Sequence, residues 1–225
     1  MEPDWKPLES SPDTFTPFAR TLGMAPALAF HDLCALEPWA LDMLPAPPLA
    51  VVLLFPYTQA HLQFVEEQAV TLPPAPPGLF YMRQNVKNAC GTIAILHALF
   101  NLASSGAEVF EPGSVLATRF EKWKGLTPEE IGSQFRADEE LEKLHREAVC
   151  GGKTDAEAPV DSHFIALVEA GGQLVELDGR KQQAVAHGPT STANFGVDCL
   201  RVIQEFMDRE KGSVLFAVQA LVRTG

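Results

Sequence analysis

Apolar positions along the chain fall into short blocks whose spacing alternates between the period of a strand and that of a helix. Residues 28–33 and 49–55 are brief apolar blocks, the second continuous and partly β-branched, as suits a central strand buried on both faces. Residues 161–168 and 173–178 form two more strand blocks around Glu169-Ala170-Gly171-Gly172, a hairpin signal in which the glycines supply the turn. Residues 213–221 close the chain as a last strand, and residues 79–82 read as a short strand leading into a polar loop. Helical spacing covers 13–22 (Asp13 as cap, Gly23 as stop), 37–44, 58–70, 114–123 behind Ser114, 138–149 and 197–210. Thr127-Pro128-Glu129-Glu130 carries the cap, proline and acidic first turn of another helix. The helix from Cys90 to about residue 102 is apolar on nearly every side and must be buried. The elements predict one α/β (α+β) domain over residues 1–225, a central and mostly antiparallel sheet with helices on both sides.

The chemistry clusters around the start of that buried helix. A thiol at a helix N-terminus meets unpaired backbone N–H groups and the positive end of the dipole, and both favour the reactive thiolate. Gln84, six residues upstream of Cys90, carries an amide able to donate to an oxyanion beside the sulfur. A buried structural cysteine is the plain alternative for Cys90 taken alone. In the hairpin, His163 and Asp178 are directly opposite if the turn centres between Ala170 and Gly171, and diagonal if it centres between Gly171 and Gly172. Both registers put the two side chains on one face, where a carboxylate can orient an imidazole as base for a thiol. His97 lies about 10 Å up the helix from Cys90, too far to serve, and reads as a core histidine. His187 is the second choice for the base.

Composition narrows the setting. Twenty-nine acidic against seventeen basic residues give −12, which argues against nucleic acid or an anionic membrane as partner and suits a basic protein face. No signal peptide or membrane-length apolar run is expected, and four scattered cysteines without paired spacing fit reduced thiols in the cytoplasm. Neither a metal site nor a cofactor is expected.

The stretch Gln84-Asn85-Val86-Lys87-Asn88-Ala89-Cys90-Gly91-Thr92 resembles the active-site signature of the ubiquitin C-terminal hydrolases. The segments from His163 to Val168 and from Glu176 to Arg180 resemble that family's histidine and aspartate segments. Trp5-Lys6-Pro7-Leu8-Glu9-Ser10 and the strand at 51–56 are also similar to it, most closely to its isozyme L3 branch. The resemblance implies a papain-like core with a knotted backbone, and a monomeric thiol hydrolase that cleaves small adducts or short peptides from the C-terminal glycine of ubiquitin or a ubiquitin-like protein. Cys90 would be nucleophile, His163 base, Asp178 its orienter and Gln84 the oxyanion donor. It also implies that residues 1–12 form a binding arm in which Pro7, Leu8 and Glu9 touch ubiquitin, and that Asp32 faces the basic tail of ubiquitin. Residues 148–161, with Cys150 among them, would be the loop that crosses the active site and limits the leaving group. Ser162 departs from the family pattern, which carries a larger apolar residue before the histidine. A ubiquitin-binding protein without turnover and a papain-like hydrolase for another substrate are the competing readings.

Overall fold

The computed structural model describes residues 5–69, 76–150, 162–210 and 213–224. The elements in chain order are α1 (Pro12–Leu22), β1 (Leu28–Asp32), α2 (Trp39–Asp42), β2 (Ala50–Pro56), α3 (Gln59–Ala69), α4 (Cys90–Ser104), α5 (Val115–Trp123) and α6 (Pro128–Arg136). After them come α7 (Glu139–Cys150), β3 (Ser162–Ala170), β4 (Gln173–Leu177), β5 (Val185–Pro189), α8 (Phe195–Arg209) and β6 (Ala217–Arg223). The strands join in one sheet, ordered β1-β6-β2-β3-β4-β5, and each of its ladders is antiparallel.

Alternation along the central strands builds a core on each side of the sheet. Ala50 and Val52 of β2, with Phe164, Ala166 and Val168 of β3, pack among Ile93, Ala94, Phe100, Phe15 and Phe135 on the α4 side. Val51, Leu53 and Phe55, with Ile165 and Leu167, meet Phe195, Val202, Ile203 and Phe206 of α8 on the other. At roughly 1.5–3 kcal/mol for each large apolar side chain taken from water, these two layers supply the main drive for folding. Helix α4 is the axis of the first layer, and every residue from Cys90 to Asn101 is buried.

The hairpin matches its sequence signal. Gly171 and Gly172 both hold positive φ, 58° and 73°, which a two-residue type I′ turn demands. Its register pairs Val168 with Val175 and Ala166 with Leu177, so the turn centres between the two glycines. His163 and Asp178 are therefore diagonal neighbours on one face.

Other elements differ from expectation for identifiable reasons. Residues 79–82 are extended but belong to no ladder, because side chains of α4 take up their backbone groups. Phe80 N–H donates to Asn101 Oδ1 at 2.9 Å, and Met82 N–H to His97 Nε2 at 3.1 Å. His97 is thus the core histidine expected, and it orders the approach to the active-site loop. Helix α1 is capped by Ser11 rather than Asp13; the Ser11 hydroxyl accepts from Thr14 N–H at 3.2 Å, with Pro12 opening the helix. Strand β6 is inserted between β1 and β2, consistent with its run of buried residues from Val218 to Val222. Helix α7 continues to Cys150, so residues 148–150 of the loop expected at 148–161 are helical; residues 151–161, Asp161 included, lie outside the described residues, as do residues 1–4 of the arm.

Candidate active site

Cys90 opens helix α4 as the sequence indicates, and its position is set by the turn before it. Asn88 adopts φ 62°, a left-handed conformation that asparagine tolerates better than most side chains, and it swings the chain into the helix. The Cys90 N–H lies in the first turn, where the helix supplies no acceptor. The side chain is buried, with 5% of the residue exposed.

Strand β3 brings His163 to this sulfur and β4 brings Asp178 to His163. The His163 Nε2 lies 2.6 Å from Asp178 Oδ1, with both residues almost wholly buried. Asp178 Oδ1 also accepts the Arg180 N–H at 2.9 Å. With Nε2 on the carboxylate, Nδ1 is the nitrogen left for the thiol.

These contacts set the protonation states. Burial alone pushes the Cys90 thiol up, but a hydrogen bond and charge from His163, the Phe164 N–H and the Arg180 charge outweigh it and hold the thiol below its ordinary range. Burial likewise opposes a charged His163, yet the Asp178 charge and hydrogen bond, with the Cys90 contribution, raise it to about 9. Burial and the nearby Glu176 act against ionised Asp178, but the His163 pair and the Arg180 N–H keep it low. Each of the three shifts favours the charged form of its group: thiolate, imidazolium and carboxylate.

Gln84 reaches the site from the loop before α4. Its N–H donates to Gly179 O at 2.8 Å, which ties the loop to the turn just past Asp178. A side chain at Gly179 would place its Cβ 3.0 Å from Gln84 Cβ, so the close approach depends on glycine. The Gln84 Nε2 donates to Val86 O at 3.1 Å, and a primary amide keeps a second hydrogen for another acceptor.

The shell around these groups is assembled mostly by tertiary packing. The Tyr57 ring meets that of His163 edge-on, 5.1 Å between centroids, and Arg180 lies 4.2 Å over the Tyr57 ring. The buried Tyr81 hydroxyl is 2.6 Å from both Asp178 O and Lys181 O, which pins the turn after β4. Glu176, two residues before Asp178 and on the same face, is buried between Lys181 Nζ at 2.6 Å and His187 Nε2 at 2.8 Å. His187 is thereby held by Glu176, whereas His163 is the histidine that meets Cys90. Alternation from Asp178 could have placed Glu176 on this face; the remaining contacts depend on tertiary packing.

The expected binding residues are divided. Pro7 is exposed and Glu9 half-buried, but Leu8 points inward: a Cβ on Gly91 would sit 3.2 Å from Leu8 Cβ. Asp32 is exposed at the end of β1 and accepts from Gln219 Nε2. Among the described residues no group of three or more His, Cys, Asp or Glu is placed to hold a metal, and no helix is long and apolar enough to cross a membrane.

A solved structure of the Trichinella spiralis UCH37 catalytic domain, itself bound to ubiquitin vinyl methyl ester, superposes with a TM-score of 0.80. It is 18% identical and covers 100% of this chain and 97% of its own, which establishes the shared papain-like fold. Sequence likeness is closer elsewhere. A ubiquitin carboxyl-terminal hydrolase of Drosophila melanogaster is 39% identical over 96% of both chains. Ubiquitin carboxyl-terminal hydrolase 3 of Arabidopsis thaliana is 35% identical over 96% of this chain and 93% of its own. The human ubiquitin carboxyl-terminal hydrolase isozyme L1 is 34% identical over 97% of this chain and 98% of its own. Residues 5–208, which include Gln84, Cys90, His163 and Asp178, match the family model described as ubiquitin carboxyl-terminal hydrolase, family 1. By that match, and by relatives above 30% identity over nearly its full length, the chain belongs to the ubiquitin carboxyl-terminal hydrolase family.

Proposed function

We propose that this protein is a deubiquitinating thiol hydrolase acting at the C-terminal glycine of ubiquitin. The observation that carries the reading is the buried line Cys90–His163–Asp178, whose contacts favour thiolate over thiol and imidazolium over imidazole. The Cys90 thiolate attacks the glycine carbonyl carbon, and the charge moves to the carbonyl oxygen. The Cys90 N–H and the free hydrogen of Gln84 Nε2 are the donors for that oxyanion. His163 gives its proton to the leaving amine, the C–N bond breaks, and a thioester remains on Cys90. His163 then takes a proton from water, which attacks the thioester and releases the ubiquitin carboxylate with the thiolate restored. Asp178 keeps the imidazole in one orientation throughout.

The −12 charge suits the basic face of ubiquitin, with the exposed Pro7 and Asp32 and the half-buried Glu9 as points of contact; ubiquitin-like proteins with a similar tail are further substrates in this reading. Small adducts and short peptides are the proposed leaving groups, and a single catalytic domain acting as a monomer in the cytoplasm is the proposed form. One observation favours a binding protein without turnover, the burial of Cys90. Hydrolysis of a fluorogenic ubiquitin C-terminal amide by wild type and Cys90→Ala separates the two. Release that vanishes in the mutant supports the hydrolase; a folded wild type that binds ubiquitin and releases nothing refutes it.

A further inference from the structure

A second histidine, outside the catalytic line, joins the N-terminal arm to the nucleophile helix. His145 of α7 is buried, and both of its ring nitrogens are engaged. Nε2 lies 2.7 Å from the backbone oxygen of Lys6, and Nδ1 lies 2.8 Å from the Thr92 hydroxyl. The chemistry of the partners fixes the direction of each bond. A carbonyl only accepts, so Nε2 carries the proton; the neutral ring then offers a lone pair at Nδ1, and the Thr92 hydroxyl donates to it. Burial holds the ring neutral, down to about 4, so the link persists across the neutral range. Thr92 is two residues past Cys90, in the first turn of α4.

The arm is clamped to the same turn by packing. The Trp5 ring lies 4.3 Å from that of His145 and 5.1 Å from Phe135, while Leu8 lies against Gly91, the residue next to the nucleophile. Two consecutive residues after Cys90 are thus fastened to residues 5–8, one by van der Waals contact and one through the imidazole. The exposed side of the arm carries Pro7.

We propose that His145 is a positioning residue that couples the seating of the N-terminal arm to the placement of Cys90, so that contact of ubiquitin with the arm is registered at the sulfur. The inference rests on Cys90 being the nucleophile. Its test uses iodoacetamide without ubiquitin, read at Cys90 by peptide mass spectrometry because Cys34 is exposed, together with kcat and KM on the fluorogenic amide. His145→Leu keeps bulk but removes both bonds, and Thr92→Val removes the hydroxyl with little change of shape. Each should slow Cys90 alkylation and lower kcat by about tenfold, the effect of losing one buried hydrogen bond with its partner stranded. His145→Gln, whose amide can both donate and accept, should restore both rates to within about threefold. Alkylation and kcat at wild-type values in Thr92→Val, or a His145→Gln as slow as His145→Leu, would overturn the proposal, and a fall in Tm alone would assign His145 to stability only. Should His145→Leu fail to fold, Thr92→Val decides. A wild type that alkylates at Cys90 but does not hydrolyse ubiquitin amides would count against the hydrolase and leave the coupling intact.

Discussion

Replacing Asp178 by asparagine removes a charge and keeps the shape, and the structure sets the size of the effect. The carboxylate accepts His163 Nε2–H at 2.6 Å inside the protein and is the leading stabiliser of an imidazolium that burial opposes. The distance from the ordinary 6.5 to about 9 corresponds to about 3 kcal/mol, and because burial works against it, Asp178 and Cys90 together supply more. Without the charge, His163 should titrate at or below 6.5. At pH 8 that leaves roughly 3% imidazolium against about 90% in wild type, and the thiol loses the cation that holds it low. Two readouts follow the change: the pH profile of Cys90 alkylation and kcat/KM on the ubiquitin amide. The alkaline limb should move from about 9 to below 7, with a loss on the order of 100-fold in kcat/KM at pH 8. Linkage gives a second check. His163 titrates higher folded than unfolded, so its stabilisation is complete below about 6.5 and disappears as pH rises through about 9. Asp178 titrates lower folded, so its share is lost only as pH falls through its folded value. The mutant should therefore lose most stability between these limits and least above pH 9. An alkaline limb still near 9, with kcat/KM within threefold, would show that Asp178 does not set the state of His163.

Other perturbations bear on separate parts of the site. Gln84→Ala should lower kcat by roughly 100- to 1000-fold and leave Cys90 alkylation near wild type, since iodoacetamide develops no oxyanion there. Lys181→Met leaves buried Glu176 with His187 alone and should cost about 3–5 kcal/mol in chemical denaturation, with Glu176→Gln recovering most of it in the double mutant. His61, His97 and His145 are each held by burial at about 4, against 6.5 when unfolded, so their neutral forms favour folding less and less as pH falls from 6.5 toward 4. At about 3 kcal/mol each, they should bring a marginally stable chain to its unfolding midpoint near pH 4.5; equal denaturation midpoints at pH 7 and 4.5 would refute this.

What the sequence reveals and conceals here follows from how each feature is encoded. The Cys90 helix was legible because its apolar run is long and its thiol lies at the first turn. The His163–Asp178 pair was legible because strand parity holds in either register, although only the structure shows that the turn centres between Gly171 and Gly172. Residues 79–82 misled because an extended apolar segment looks the same whether its N–H groups meet a strand or the side chains of Asn101 and His97. The inward direction of Leu8 shows only in the structure, because a short arm has no period to say which side faces in. The His145 bridge joins residues distant in the chain, and the Lys181–Glu176–His187 cluster forms across the turn and strand that follow β4; no local pattern pairs the partners of either.

The most direct test of the central claim is covalent capture. Ubiquitin bearing an electrophile at its C-terminus should form one adduct with the wild type, mapped to Cys90 and absent in Cys90→Ala, with Cys34 and Cys199 unmodified. An adduct on another cysteine, or none from a folded protein that binds ubiquitin, would contradict the assignment of Cys90 as the nucleophile.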